Sequence, residues 1–339
     1  MYTFDVAAPD ELGVLTSTAP VARGAAHVRI APEAVERFAR RHAGAPAPFG
    51  AEDGLHCAFL PPGRLLNYLL ALEALNFCFW DEEPRWRVAW GGARHDGYWA
   101  LAAALRRAIR EDALPLWDAH WLADAGAERT ARLLRGEGRP VPLLAARAAH
   151  LREAGSALLE RWNGQFAEVV AAAQGDAVTL ALRLAAEFPS FRDETRWRDP
   201  ATGREHSVRF LKRAQICAAD LARLLPGDPQ GRLRGLERLT AFADYKVPQA
   251  LRREGILVYG AALAERLERR EELAAGSAEE VEIRAATVWA CAWIARAVAP
   301  LRPPGAPGIG AAEVDGWLWL AGQDPTGLQP YHRTRTVYY

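Results

Sequence analysis

Residues 278–298, AEEVEIRAATVWACAWIARAV, constrain this chain more than any other stretch. The spacing is helical, yet apolar residues fall nearly all the way round, so such a helix is stable only when other elements cover it on every side. Its start reads Ser277-x-x-Glu280, a capping box that would satisfy two free amide donors. Segments able to cover it are plentiful. Apolar residues recur at helical intervals in PEAVERFARRH, GRLLNYLLALEALNFCFW, YWALAAALRRAIRED, AERTARLLRG and LLAARAAHLREAGSALLERW. The pattern continues in AVTLALRLAAEF, FLKRAQICAADLARLL, VPQALRREG and YGAALAERLERREELA. Strand signals are few: RWRDPATGREHSVRF predicts a hairpin turning at 199–203, and HVRI a short strand. The expected fold is therefore all-α, mainly helical with a small β-hairpin. No repeat of solenoid period occurs, and LRPPGAPGIGAAE reads as a loop ahead of the C-terminal segment. Residues 1–339 then form a single α-rich domain, with room for two closely packed lobes and a site between them.

Charge narrows the partners. The formal net charge is zero, whereas a protein that grips many phosphates carries a basic surplus or stripe. A small, compact substrate fits that balance, with no stable nucleic-acid complex. No apolar run reaches membrane-spanning length, because Arg or Glu interrupts each one, so no membrane partner is expected. The N-terminus lacks a basic and apolar leader, and Cys57, Cys78, Cys217 and Cys291 stand apart with no CxxC. Reduced thiols and a cytoplasmic location follow as expectations. GxxxxGK[ST], HExxH and GxSxG are absent, and the histidines show no ligand spacing, which disfavours nucleoside-triphosphate, metal and serine-hydrolase chemistry.

Four stretches carry candidate chemistry. In LTAFADYKVPQALRREGILVY, Asp244 sits between Phe242 and Tyr245, ahead of Lys246 and a helix-stopping Pro248. An acid in aromatic company suits a carboxylate kept dry beside a substrate. Lysine is scarce: only Lys212 and Lys246 accompany 40 arginines. In a composition that uses Arg wherever charge alone matters, the surviving ammonium groups are suspects for a chemical role or are chance retentions. In FLKRAQICAADL, Lys212 shares a face with Gln215 and Ile216, where it would pair with a phosphate, with Asp244, or in an ordinary salt bridge. On a continuous helix Asn76 and Trp80 would share a face with Phe79 alongside, which suits a planar heterocycle or simply a core helix end. In PYHRTRTVYY, an extended chain would aim Arg333 and Arg335 one way and His332, Thr334 and Thr336 the other, a phosphate clamp on a docked tail. Asp315, beside Trp317 and Trp319, is either a second acid for a cationic ligand group or an N-cap for GWLWLAG.

LNFCFW, FLKRAQI, FADYKVPQALRREGIL and YHRTRTVYY, in that order, resemble the queuosine salvage protein family of queuosine 5'-phosphate N-glycosylase/hydrolases. The resemblance covers roughly residue 50 to the end. It implies a helical fold like that of helix-hairpin-helix DNA glycosylases, hydrolysis of queuosine 5'-monophosphate to free queuine for reuse in tRNA modification, and no metal or organic cofactor. Against that chemistry, Asp244 would stabilise or capture the oxocarbenium ion that forms as the N-glycosidic bond breaks. Queuine is a 7-deazaguanine, so the ring nitrogen that acids commonly protonate in purines is a carbon, which places more of the burden on Asp244. The family often carries Arg where Lys246 stands, leaving Lys212 the better catalytic candidate. Lys212, Arg333, Arg335 and Tyr339 would hold the 5'-phosphate. His56, Asn76, Phe77, Phe79, Trp80 and Tyr245 would hold the base, and Asp315 or Glu282 the amine of its cyclopentenediol arm. The alternatives are a glycosylase acting on DNA or RNA, or a non-catalytic helical module that binds queuosine species.

Overall fold

The computed structural model describes residues 2–6, 9–48 and 54–339. It is mainly helical, with three two-stranded antiparallel sheets among the described residues. The chain divides into two compact units, one of Met1–Phe49, Asp193–Gln215 and Gly235–Arg335, the other of Gly50–Arg192, Ile216–Arg234 and Thr336–Tyr339.

The first unit is organised on the predicted all-apolar helix, Ala278–Val298, whose residues are buried almost without interruption. Helices Val14–Gly24, Pro32–His42 and Ala311–Ala321 pack against it. Ser277 Oγ accepts the Glu280 amide at 3.4 Å, while the Glu280 carboxylate reaches back to the amide of Gly276, one residue earlier than a strict capping box requires. Trp289 is fully buried and its indole N–H donates to Thr18 Oγ1, so a large ring is covered without orphaning its one donor. The predicted hairpin pairs Glu194–Arg198 with Glu205–Arg209, and the short strand Val28–Ile30 pairs with Leu257–Tyr259.

In the second unit Pro62–Ala74, Leu144–Arg161 and Phe166–Ala172 pack together. Gly155 allows Leu144–Arg161 to lie against the short helix Ala119–Ala123: a Cβ there would stand 2.2 Å from the Ala123 nitrogen. The hairpin Arg87–Trp90/Ala93–Asp96 is short and carries several charged residues, and its sequence shows no strong alternation.

Two sequence expectations are corrected. The helix expected over 63–80 ends at Ala74, and Cys78 takes a φ of 43°, so Asn76 and Trp80 do not share a helical face. The buried Arg147 guanidinium takes the carbonyls of Leu75, Phe77 and Cys78, which a continuing helix would have paired internally. Pro248 does not stop a helix. It lies in the first turn of Lys246–Arg253, where a proline costs no intrahelical hydrogen bond. The four cysteines are free and buried, and no helix among the described residues is long and apolar enough to cross a membrane.

Candidate functional site

Residues 240–244 of the first unit run as an irregular strip into helix Lys246–Arg253, and side chains from several elements fix them. Gln215 Nε2 donates to Thr240 Oγ1, and Gln215 Oε1 accepts the Thr240 amide at 2.8 Å. Asp315 Oδ1 accepts the Phe242 amide at 2.9 Å, and Arg284 Nε donates to the Ala243 carbonyl at 3.1 Å. The strip ends at Asp244, whose Oδ1 accepts the amides of Lys246 at 2.7 Å and Val247 at 2.9 Å. Both hydrogen bonds fall on one oxygen, and they satisfy two donors at the helix start as a cap does.

Asp244 is 7 % exposed. Burial pushes its carboxyl above the ordinary range, and Lys212, the two amides and Lys246 pull it back. Asp315, also buried, is pushed well above the usual range by burial and then by the negative charge of Asp244. Two acids sharing one neighbourhood resist ionising together. Asp244, with two amides and the stronger pull of the lysines, is the one favoured as the anion; Asp315 is favoured as the neutral acid. Cys291 lies within reach of the same pair, and burial and both acids push its thiol up, so it is a poor nucleophile.

The structure thus brings Asp244, Lys212 and Asp315 together. Asp315 is not the N-cap of GWLWLAG: it lies inside Ala311–Ala321, whose N-cap is Gly310, with the Gly310 amide donating to Glu313. Tyr245 is buried with its ring 4.9 Å from that of Tyr331. Glu282 is fully buried, and its Oε2 accepts the amide of His27. The C-terminal segment is docked: the Arg333 carbonyl accepts the Leu273 amide and Gln249 Nε2 donates to the Gln329 carbonyl. Along it Arg333 is buried, whereas Arg335 is exposed and paired with Glu272 at 3.3 Å. His332 is buried, and burial together with the charge of Arg284 lowers its pKa to about 3.

In the second unit Asn76 Nδ2 donates to Glu73 Oε2 at 3.0 Å. Phe77 and Phe79 lie over the Arg147 guanidinium at 4.4 and 5.1 Å, and Phe79 stacks on Trp86. Trp80 is buried. The Tyr339 carbonyl oxygen accepts the Cys78 amide at 2.8 Å. His56 Nε2 is 2.6 Å from the Tyr98 hydroxyl, which in turn donates to Asp220.

Sequence reasoning missed Arg284, Asp193 and Arg147. An arginine in VEIRAATVWA, inside a helix apolar nearly all the way round, is a usable signal for Arg284, since a buried charge must find a partner. Nothing local marks Asp193 in SFRDETRW or Arg147 in LLAARAAHL.

Residues 60–339 match the family described as queuosine salvage protein. A protein of Sphaerobacter thermophilus named queuosine 5'-phosphate N-glycosylase/hydrolase is 48% identical over 337 residues, covering 97% of this chain and 98% of its own length. Proteins of the same name from Bos taurus and Schizosaccharomyces pombe are 33% and 28% identical, each over 81% of this chain and over 81% and 83% of their own lengths. The chain belongs to the queuosine salvage protein family.

Proposed function

We propose that this chain is an N-glycosidase that hydrolyses queuosine 5'-monophosphate and releases queuine for reuse in tRNA modification. One observation carries the reading: a buried carboxylate, Asp244, held by two amides on one oxygen and pulled toward its ionised form by Lys212. The name shared by its relatives supports it.

In this reading the N-glycosidic bond lengthens and positive charge grows on the ribose. Asp244 presents Oδ2 to that charge, since the amide bonds to Oδ1 fix the carboxylate in place before reaction and no reorganisation is needed. Water adds to the ribose carbon as the C–N bond breaks and gives up a proton to solvent, and the base leaves with a proton taken from solvent or from a neutral acid. Lys212, Arg333, Arg335 and Tyr339 hold the 5'-phosphate. His56, Asn76, Phe77, Phe79, Trp80 and Tyr245 hold the base. For the amine of the cyclopentenediol arm the candidates are Asp315, which shares the neighbourhood of Asp244, and Glu282, whose Oε2 accepts the His27 amide while its buried Oε1 is unpaired. The proposal includes a helix-hairpin-helix glycosylase type of fold, a cytoplasmic location and no stable nucleic-acid complex, the last supported by zero net charge.

The test is a comparison of substrates. Purified protein is incubated with queuosine 5'-monophosphate and with dephosphorylated queuosine, and free queuine is measured by mass spectrometry. Release from the monophosphate with much slower release from the nucleoside is expected. Equal rates would remove the phosphate assignment, and no release from either would remove the enzyme reading.

A further inference from the structure

Arg284 is 2 % exposed, and its guanidinium meets two segments of the first unit far apart in sequence, besides Glu280 one turn earlier on its own helix at 3.7 Å from Nη1. Nη1 and Nη2 form a two-pronged pair with Asp193, at 3.0 Å to Oδ1 and 2.6 Å to Oδ2. Nε, the remaining edge, donates to the Ala243 carbonyl, one residue before Asp244. On the other side of the pair, Asp193 Oδ2 accepts the backbone amide of Lys212 at 3.2 Å. The Asp193 carbonyl accepts the amides of Phe210 and Leu211, and the guanidinium lies 3.9 Å over the Phe210 ring. Leu211 has a φ of 53°, a left-handed conformation that a leucine holds only when its surroundings enforce it. The strained residue immediately precedes Lys212, so the enforcement falls on the placement of the lysine.

We propose that Arg284 is a positioning residue whose single guanidinium sets Asp244 and Lys212 in register, directly through the Ala243 carbonyl and indirectly through Asp193. The inference rests on the hydrolase reading above and deepens it. An ion pair that served only to bury two charges would be complete with the two-pronged contact. Here both partners spend further hydrogen-bonding capacity on the main chain beside each reacting side chain. A planar fork is required for this: lysine keeps the charge but offers no fixed geometry to serve Asp193 and Ala243 at once. Misplacement of reacting groups by about 1 Å can cost about a hundredfold in rate.

The experiment compares wild type with Arg284→Lys and Asp193→Asn, each corrected for the folded fraction by its unfolding curve. Turnover on queuosine 5'-monophosphate is followed over pH. The side chains that face Asp244 are Lys212, Lys246, Asp315 and Cys291, and of these the lysines lower its pKa, together with the backbone amides of Val247 and Lys246. If Arg284 holds Lys212 in place, kcat falls about a hundredfold, KM rises as the phosphate loses its lysine, and the acid limb of kcat moves up by about half a unit or more as the lysine drifts from the acid. A drop in kcat that matches the lost folded fraction, with the acid limb unmoved, would overturn the proposal. Asp193→Asn preserves side-chain volume and decides the matter if Arg284→Lys does not fold. Failure of both to fold would assign the pair to folding and equally overturn it. The hydrolase reading is judged separately, on wild type alone: no queuine from wild type removes that reading, whereas an active wild type with unaffected variants removes only the positioning role.

Discussion

The turn at 75–80 and the strip at 240–244 each take hydrogen bonds from a buried arginine, and the two arginines are satisfied differently. Arg147 donates to the main-chain carbonyls of Pro142, Leu75, Phe77 and Cys78, with the rings of Phe77 and Phe79 against its face. Arg284 donates to one carbonyl and to a carboxylate that itself holds the amide of Lys212. The first arrangement shapes a surface: it bends the chain out of a helix and presents aromatic rings. The second couples charges, because each end of the pair ties down a segment that bears a titratable group. A buried arginine among carbonyls is thus a structural element, and one paired with an acid beside titratable groups is also an electrostatic one.

The largest expected effect that breaks this contrast is on stability. Arg147→Met strands several buried carbonyls and should cost roughly 3 kcal/mol or more, read as a lower urea midpoint with an unchanged slope. If the variant instead keeps its midpoint and loses turnover, Arg147 belongs with Arg284 as a residue of the chemistry, and the contrast fails.

A smaller effect sharpens it from the other side. His332, beside Arg284, has a folded pKa of about 3, below its ordinary 6.5. The unfolded chain therefore takes up the proton first. The contribution of this group is intact above about pH 6.5 and is lost as the pH falls from there toward about 3, at up to about 1.4 kcal/mol per unit. His332→Asn should flatten the decline of stability between pH 6.5 and 5, measured by thermal melts at fixed ionic strength. An unchanged decline would show that the histidine is solvated, against its placement in the fold.

Most helices were legible because periodicity is local: Pro32–His42 and Ala278–Val298 coincide with their apolar patterns. The helix over 63–80 overran because what ends it, Arg147, lies about 70 residues downstream, and no local residue announces it. The N-cap alternative for Asp315 fails because tryptophans beside an acid resemble a helix start, whereas the helix begins at Ala311 with Glu313 accepting the Gly310 amide. Asp244 stands out in the sequence through its aromatic neighbours, and Lys212 through the rarity of lysine in an arginine-rich chain. The ion pair beside them does not, since Asp193 and Arg284 are 91 residues apart and each looks ordinary alone. Sequence pattern identifies groups with unusual neighbours, while the contacts that hold those groups are properties of the folded chain.

The central claim concerns one ionised oxygen. Asp244→Asn keeps an acceptor for the amides of Lys246 and Val247 while removing the charge. Its single-turnover rate of queuine release from queuosine 5'-monophosphate should fall by roughly two to three orders of magnitude with the unfolding midpoint little changed. A rate within about threefold of wild type, in a variant equally well folded, lies far outside what loss of such a group costs and would contradict the account.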